Sequence, residues 1–290
     1  MGHPNFVLQV AGAALLTLAA ATAQAVPLVG LTSSNQLARF DTANIAGATT
    51  VSITGLAAGD RFVGIDLRPA NNLIYGVTLS NQIYTVNEFT GAATFVAALS
   101  SAVVSPTLGY GIDFNPVADF SGAASLRFVS SAGGNFAINA STGAVANAAN
   151  PIAPGFSGVA YTNSVPLPGA APASTALYYI DSNNDTLAIA PSAFNTPTIT
   201  TVGSLGVDVL RANGFEILGN GQAFAALNVD AGTSLTTGIY SINLGTGAAT
   251  LLGTYNGTLS GLTVSAIPEP ASYALMAAGL LALTRLRRRA

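Results

Sequence analysis

An all-β, five-bladed propeller, closed by a blade shared between the first and last strands, is the fold this sequence predicts. Three observations predict it. A glycine-led motif recurs at Gly64, Gly111, Gly158, Gly214 and Gly261, with spacings of 47, 47, 56 and 47 residues, a period in the range of four-stranded propeller blades. Within each interval, short runs of β-formers alternate with turn chemistry. The two ends of the repeat region are complementary fragments of one unit.

Composition limits the chemistry. The chain has 290 residues, 50% of them apolar and only 7% charged, against about 25% charged in an ordinary globular domain. Polarity at the surface therefore comes from Ser, Thr, Asn and Gln. There is no Lys and no Cys, so no disulfide and no thiolate site can form.

Residues 1–25 read as a secretory signal peptide. Phe6 to Ala23 is almost wholly apolar and Ala23-Gln24-Ala25 fits a small-x-small cleavage site, which would leave Val26 as the new start. The n-region has neither Lys nor Arg, so a retained helical anchor is the alternative. Cleavage removes His3, the only histidine, and with it any Ser-His-Asp set or His-ligated metal.

The propeller is expected over residues 26–267, and its first whole unit predicts four strands, Gly64–Leu67, Leu73–Thr78, Ile83–Asn87 and Ala93–Leu99. The second unit repeats the opening, Gly111-Ile112-Asp113-Phe114-Asn115-Pro116 against Gly64-Ile65-Asp66-Leu67-Arg68-Pro69. A shared turn returns as Asn87 to Ala92, Asn139 to Ala144 and Asn243 to Ala248, each ending in Thr-Gly-Ala. Its glycine supplies the positive φ of a tight hairpin. The third unit carries nine extra residues, and Val165 to Ser174, with three prolines, predicts a protruding extended loop. Asp181 to Asp185 lacks the glycine and closing Glu of a calcium loop, so it predicts a hairpin turn.

The ends decide the blade count. Gly30-Leu31-Thr32-Ser33-Ser34-Asn35-Gln36-Leu37 matches Gly76-Val77-Thr78-Leu79-Ser80-Asn81-Gln82-Ile83, so the repeat begins at a second strand. Gly261-Leu262-Thr263-Val264 supplies the missing first strand. Residues 259–265 should then pair with 28–54 and close the ring. A sixth blade would need another opening glycine, and an open solenoid would not need two half-units.

Residues 268–290 form a second address. Pro268-Glu269-Pro270 precedes the apolar run Ala271 to Leu283 and then Arg285, Arg287, Arg288 and Arg289. This tail resembles the PEP-CTERM sorting signal of Gram-negative bacteria that make exopolysaccharide, with Ile267 where Val often stands. The resemblance implies an exosortase or related sorting machinery as partner, and transient inner-membrane association through a transmembrane segment in the tail. An ordinary C-terminal anchor is the alternative, and both put the domain outside the inner membrane. The strings Gly-Ile-Asp-Leu-Arg-Pro-Ala, Leu-Ile-Tyr-Gly-Val and Asn-x-x-Thr-Gly-Ala resemble the bacterial domain-of-unknown-function 4394 family over residues 28–264. That resemblance implies no activity.

Aligning the opening strands puts Asp66, Asp113 and Glu216 at equivalent positions, with Ala160 and Thr263 in the other two units. Opening strands are innermost in a propeller, so these acids should ring the channel. There they could bind a hard cation such as Ca²⁺ through oxygen, act as paired carboxylates on a sugar, or accept hydrogen bonds from backbone amides of the neighbouring blade. Arg68 should pair with a carboxylate or a turn carbonyl. The tyrosines fit inter-blade core, and the absence of Trp weakens a carbohydrate platform.

Between the two signals the chain has eleven acids and five arginines, a net charge of about −6, which sets nucleic acid aside as a partner. Two classes of function remain. The first is an exported, cell-surface or extracellular, non-enzymatic matrix, adhesion or binding module whose partner is an exopolysaccharide or a surface protein. The second is a channel-centred hydrolase or lyase, with or without calcium, that uses Asp66, Asp113 and Glu216.

Overall fold

The computed structural model describes residues 25–146, 150–210, 214–230 and 235–266. The expected sorting tail, and the expected signal peptide up to residue 24, lie outside the described residues. Five four-stranded antiparallel sheets make up the ring. The second blade is β4 (Phe62–Arg68), β5 (Leu73–Thr78), β6 (Gln82–Val86) and β7 (Ala93–Ala98), within two residues of the sequence expectation at every boundary. The third is β8 (Tyr110–Phe114), β9 (Ser125–Ser130), β10 (Asn135–Asn139) and β11 (Val145–Ala146). The fourth is β12 (Phe156–Tyr161), β13 (Leu177–Asp181), β14 (Thr186–Ala190) and β15 (Thr200–Ser204). The fifth is β16 (Gly214–Ile217), β17 (Ala223–Asp230), β18 (Leu235–Ile242) and β19 (Ala249–Tyr255).

The first blade is built from both ends of the chain. Strands β1 (Pro27–Thr32), β2 (Gln36–Asp41) and β3 (Asn44–Ser52) are joined by β20 (Leu259–Val264), which pairs with β1 from Leu28↔Val264 to Thr32↔Leu259. This removes the exposed edges an open array would present. The turns agree with the alignment of the two ends. Asn35 and Asn81 both take positive φ, at 56° and 59°, and each is followed by a Gln whose amide donates to the preceding Thr hydroxyl.

The core lies between the blades. Each of the five seams between neighbouring sheets holds its own cluster of buried side chains, because an inner strand in a ring has a neighbour on both faces. That is why β4 reads Phe-Val-Gly-Ile-Asp-Leu, buried at all six positions, with no apolar-polar alternation. Tyr75, Tyr84, Tyr110, Tyr161, Tyr179, Tyr240 and Tyr255 are buried, as the expected inter-blade role requires.

Two of the opening glycines, Gly111 and Gly214, are explained by close approach of the inner strands. A Cβ at Gly214 would stand 2.3 Å from Leu262 N, and one at Gly111 would stand 2.7 Å from Val159 N. Side chains there would push the strands apart. In the shared turn, Asn87 Oδ1 accepts the Phe89 and Thr90 amides, and Gly91 (φ 70°) puts its carbonyl on the Thr54 amide of the preceding blade.

The proline-rich insertion differs from expectation. It does not protrude freely but folds back across one face of the ring, from the fourth blade to the second. The Leu167 amide donates to Pro69 O at 3.1 Å and Asn72 Nδ2 donates to Leu167 O at 2.8 Å. The unpaired backbone of an extended segment finds its partners there. Asp181 to Asp185 forms the expected turn, with Asp181 Oδ1 accepting the Asn183 and Asn184 amides.

Candidate functional site

Two residues beyond each opening glycine, every inner strand aims a side chain at the next blade. Asp66 Oδ2 accepts the Phe114 amide at 2.8 Å, Asp113 Oδ1 the Tyr161 amide at 3.1 Å, and Glu216 Oε2 the Val264 amide at 3.1 Å. Thr263 Oγ1 accepts the Leu67 amide at 2.9 Å. Four of the five seams thus carry the same hydrogen bond in the same register. The fourth blade has Ala160, which offers no oxygen. The amide it would have served, Ile217, instead supports the carboxylate of Glu216 beside it.

The three acids converge. One carboxylate oxygen from each of Asp66, Asp113 and Glu216 lies within 4.8 Å of the others, and all three residues are buried. The hydroxyl of Thr263 stands 3.0 Å from both Asp66 Oδ1 and Glu216 Oε2. Burial, then the neighbouring Glu216, pushes Asp66 well above the usual carboxylate range. Burial, then Asp66 and Glu216, does the same to Asp113, and burial raises Glu216. Hydrogen bonds from backbone amides oppose these shifts without cancelling them.

This arrangement meets the expectation that the acids accept amides of the neighbouring blade. The close approach of one oxygen from each acid also makes a cluster of hard oxygen donors, the donor type that Ca²⁺ and Mg²⁺ take. A cavity lined by Gly64, Gly111, Gly214 and Gly261 with Ile65, Ile112 and Phe215 has a volume of about 10 Å³, about one water-sized sphere.

Among the described residues, two ion pairs tie the ring around this centre. Arg68 Nε donates to buried Asp119 Oδ1 at 2.6 Å, joining the second and third blades as expected for Arg68. Asp119 is delivered by a short helical turn, Pro116–Ala118, capped by Asn115 Oδ1. The second pair was not foreseen from sequence. Glu88 accepts Arg39 Nε at 3.2 Å, Ser265 Oγ at 2.7 Å and the Ala266 amide at 3.0 Å, so it clasps the chain where β20 leaves the ring. Arg39 also lies 3.8 Å over the Phe89 ring.

Residues 36–263 match the family described as Domain of unknown function (DUF4394). The chain belongs to that family. Residues 266–289 match the PEP-CTERM protein-sorting motif, which implies export to the cell envelope and recognition by exosortase sorting machinery. No curated protein matches the chain. Among solved structures it is similar to the calcium-binding protein regucalcin of Agrobacterium tumefaciens, at 12% identity and TM-score 0.41 over 77% of this chain and 68% of that one. It is also similar to a protein of unknown function from Bacteroides thetaiotaomicron, at 12% identity and TM-score 0.48 over 84% and 66%. A third is BamB of Moraxella catarrhalis, at 14% identity and TM-score 0.32 over 83% and 88%. At these values the likenesses carry no functional argument. Among the described residues, no helix is long and apolar enough to cross a membrane.

Proposed function

We propose that this protein is a non-enzymatic binding module of the cell surface or its matrix, whose acid centre takes a divalent cation, calcium first, as a structural ligand. The observation that carries the reading is the convergence of three carboxylates from three blades within 4.8 Å, each already holding the next blade. A cation there would join the second, third and fifth blades at one point. Asp66, Asp113 and Glu216 would supply the oxygens.

The hydrolase or lyase reading asks more of the same residues. A sugar would have to reach carboxylates that are buried and already bonded to the neighbouring blades, and the cavity of about 10 Å³ between the inner strands is too small for a sugar ring. The proline-rich insertion is tied to Pro69 and Asn72, in the turn that follows the strand of Asp66. A structural role fits this geometry better than turnover does.

The module would display its outer surface to an exopolysaccharide or a surface protein, after transient anchoring in the inner membrane by the tail. Fractionation with intact mass spectrometry tests this. The expected product begins at Val26, lacks about the last 20 residues, and is retained in the envelope or matrix. A cytoplasmic full-length product would end the reading, as would turnover of a glycoside or lactone lost on Asp66→Asn.

A further inference from the structure

The seam between the third and fourth blades holds a guanidinium without a counter-ion. Arg127, in the middle of β9, is 4% exposed. Its hydrogen bonds all go to neutral groups: Nε to Tyr161 Oη at 3.4 Å, Nη1 to Asn135 Oδ1 at 2.9 Å and Nη2 to Asn195 Oδ1 at 2.9 Å. Arginine keeps its charge in such a place. Arg39 and Arg68 each have a carboxylate, whereas among the described residues none lies within ion-pair distance of Arg127. Asp113 lies opposite it in the β8–β9 register but spends itself on the Tyr161 amide.

A second observation points to the same place. Tyr179 is fully buried in this seam, in the same apolar cluster as Tyr161, and its Oη has no hydrogen-bond partner. Its hydroxyl is pushed far above the usual phenol range, by burial first and then by Tyr161, with Arg127 acting the other way. A cation and a hydroxyl donor both lack an anionic acceptor.

What covers them is a loop, residues 191–199. Phe194 packs edge-on against Tyr161 at 5.0 Å, and its carbonyl accepts Asn135 Nδ2 at 3.2 Å. Asn195 is itself exposed and reaches in only to accept from Arg127. The loop is also a wall between two surface cavities. One, of about 590 Å³, is lined by Ile152, Phe156, Ala188 and Ile199, by Thr196 of the loop and by Asp181, whose carboxylate is held by the Asn183 and Asn184 amides, and Phe156 packs on the Tyr179 ring at 5.0 Å. The other, of about 280 Å³, is bordered by Ser192, Ala193 and Phe194.

We propose that this seam is a binding site for a small carboxylate-bearing ligand, which replaces Asn195 on Arg127 when the loop lifts. A carboxylate matches the guanidinium fork and accepts from Tyr179 Oη. The larger cavity is of the size small ligands occupy, and its residues Ile152, Phe156, Ala188 and Ile199 take the body of the molecule. Closed, the loop competes with the ligand through Asn195 and lowers its apparent affinity by the fraction of time the seam is open.

The test is benzoate titration of the folded chain, followed by thermal unfolding and calorimetry, with benzyl alcohol as the neutral control. Saturable stabilisation by benzoate and not by benzyl alcohol is expected. Asn195→Ala, at an exposed loop position, should tighten benzoate by about threefold or more, and Tyr179→Phe should weaken it by a similar factor. Arg127→Met should abolish it; if that variant fails to fold, the other two decide. No benzoate response in either wild type or Asn195→Ala overturns the proposal. So does equal stabilisation by benzyl alcohol, or a response indifferent to Tyr179→Phe.

Discussion

Thr263 Oγ1 lies 3.0 Å from Asp66 Oδ1 across 197 positions of sequence, and the same oxygen lies 3.0 Å from Glu216 Oε2. A hydroxyl has one proton to give and two lone pairs. One lone pair already takes the Leu67 amide. Thr263 can therefore donate to one carboxylate only, and the other approaches as a carboxylic acid or through a shared cation. A retained proton, or the cation proposed above, would satisfy the carboxylate that the hydroxyl cannot reach.

The proton form has a defined pH signature. All three acids have folded-state pKa values raised by burial, so without divalent cations the native state keeps protons that the unfolded chain releases. Their contribution to stability is fully present below the unfolded values, near pH 4, and is lost as pH rises toward the folded ones. The slope is up to about 1.4 kcal/mol per pH unit for each retained proton. Urea unfolding in chelator from pH 4 to 8 measures it, as the difference between wild type and Asp66→Asn. Equal slopes in the two proteins would mean that Asp66 ionises freely on folding.

Spacing between inner strands makes a second prediction. Gly214→Ala would place a methyl 2.3 Å from Leu262 N, against backbone that cannot give. At Gly64 the nearest atom is Ile112 Cγ1 at 3.3 Å, a side chain that can move. Overpacking costs about 1–3 kcal/mol, so Gly214→Ala should lose about 3 kcal/mol and Gly64→Ala about 1 kcal/mol or less. Denaturant unfolding of the pair checks this. Equal losses would show that the ring does not close as tightly between the fifth and first blades.

The clasp at Glu88 predicts a local effect. Glu88 is buried and holds Ser265, the Ala266 amide and Arg39. Because Arg39 is one-third exposed, the ion pair itself is screened. The loss on Glu88→Ala should be about 2 kcal/mol, mostly from unsatisfied donors. Hydrogen exchange at the Ala266 amide should quicken more than in the blade strands. Unchanged protection there would show that β20 leaves the ring unaided.

The ring was legible in the sequence because its physics repeats. Inner strands that pass close to one another favour a small residue at the same place in each unit, most strictly at Gly111 and Gly214, and one shared turn demands Asn and Gly at fixed offsets. The acids were legible as aligned positions, since Asp66, Asp113 and Glu216 occupy one register. Their convergence to 4.8 Å was not, because it depends on the radius of the channel and on the extra length of Glu216. Thr263 occupies the same aligned position without being an acid, yet its hydroxyl stands 3.0 Å from two of the acids. Arg127 left only one trace, a charge inside the apolar run Ser125-Leu126-Arg127-Phe128-Val129. The Glu88 clasp and the course of the insertion depend on contacts between distant segments, which no local pattern records.

The central claim, that the acid centre takes a cation to hold the blades together, is tested most directly by thermal unfolding of wild type and Asp113→Asn at pH 7, in calcium and in chelator. Asp113→Asn keeps the shape and the oxygen that accepts the Tyr161 amide while removing one charge. Wild type should gain about 2.7 kcal/mol at calcium a hundredfold above its dissociation constant, and Asp113→Asn should lose most of that gain. If wild type unfolds identically in calcium and in chelator, the three carboxylates hold only protons and backbone amides, and the cation centre is contradicted.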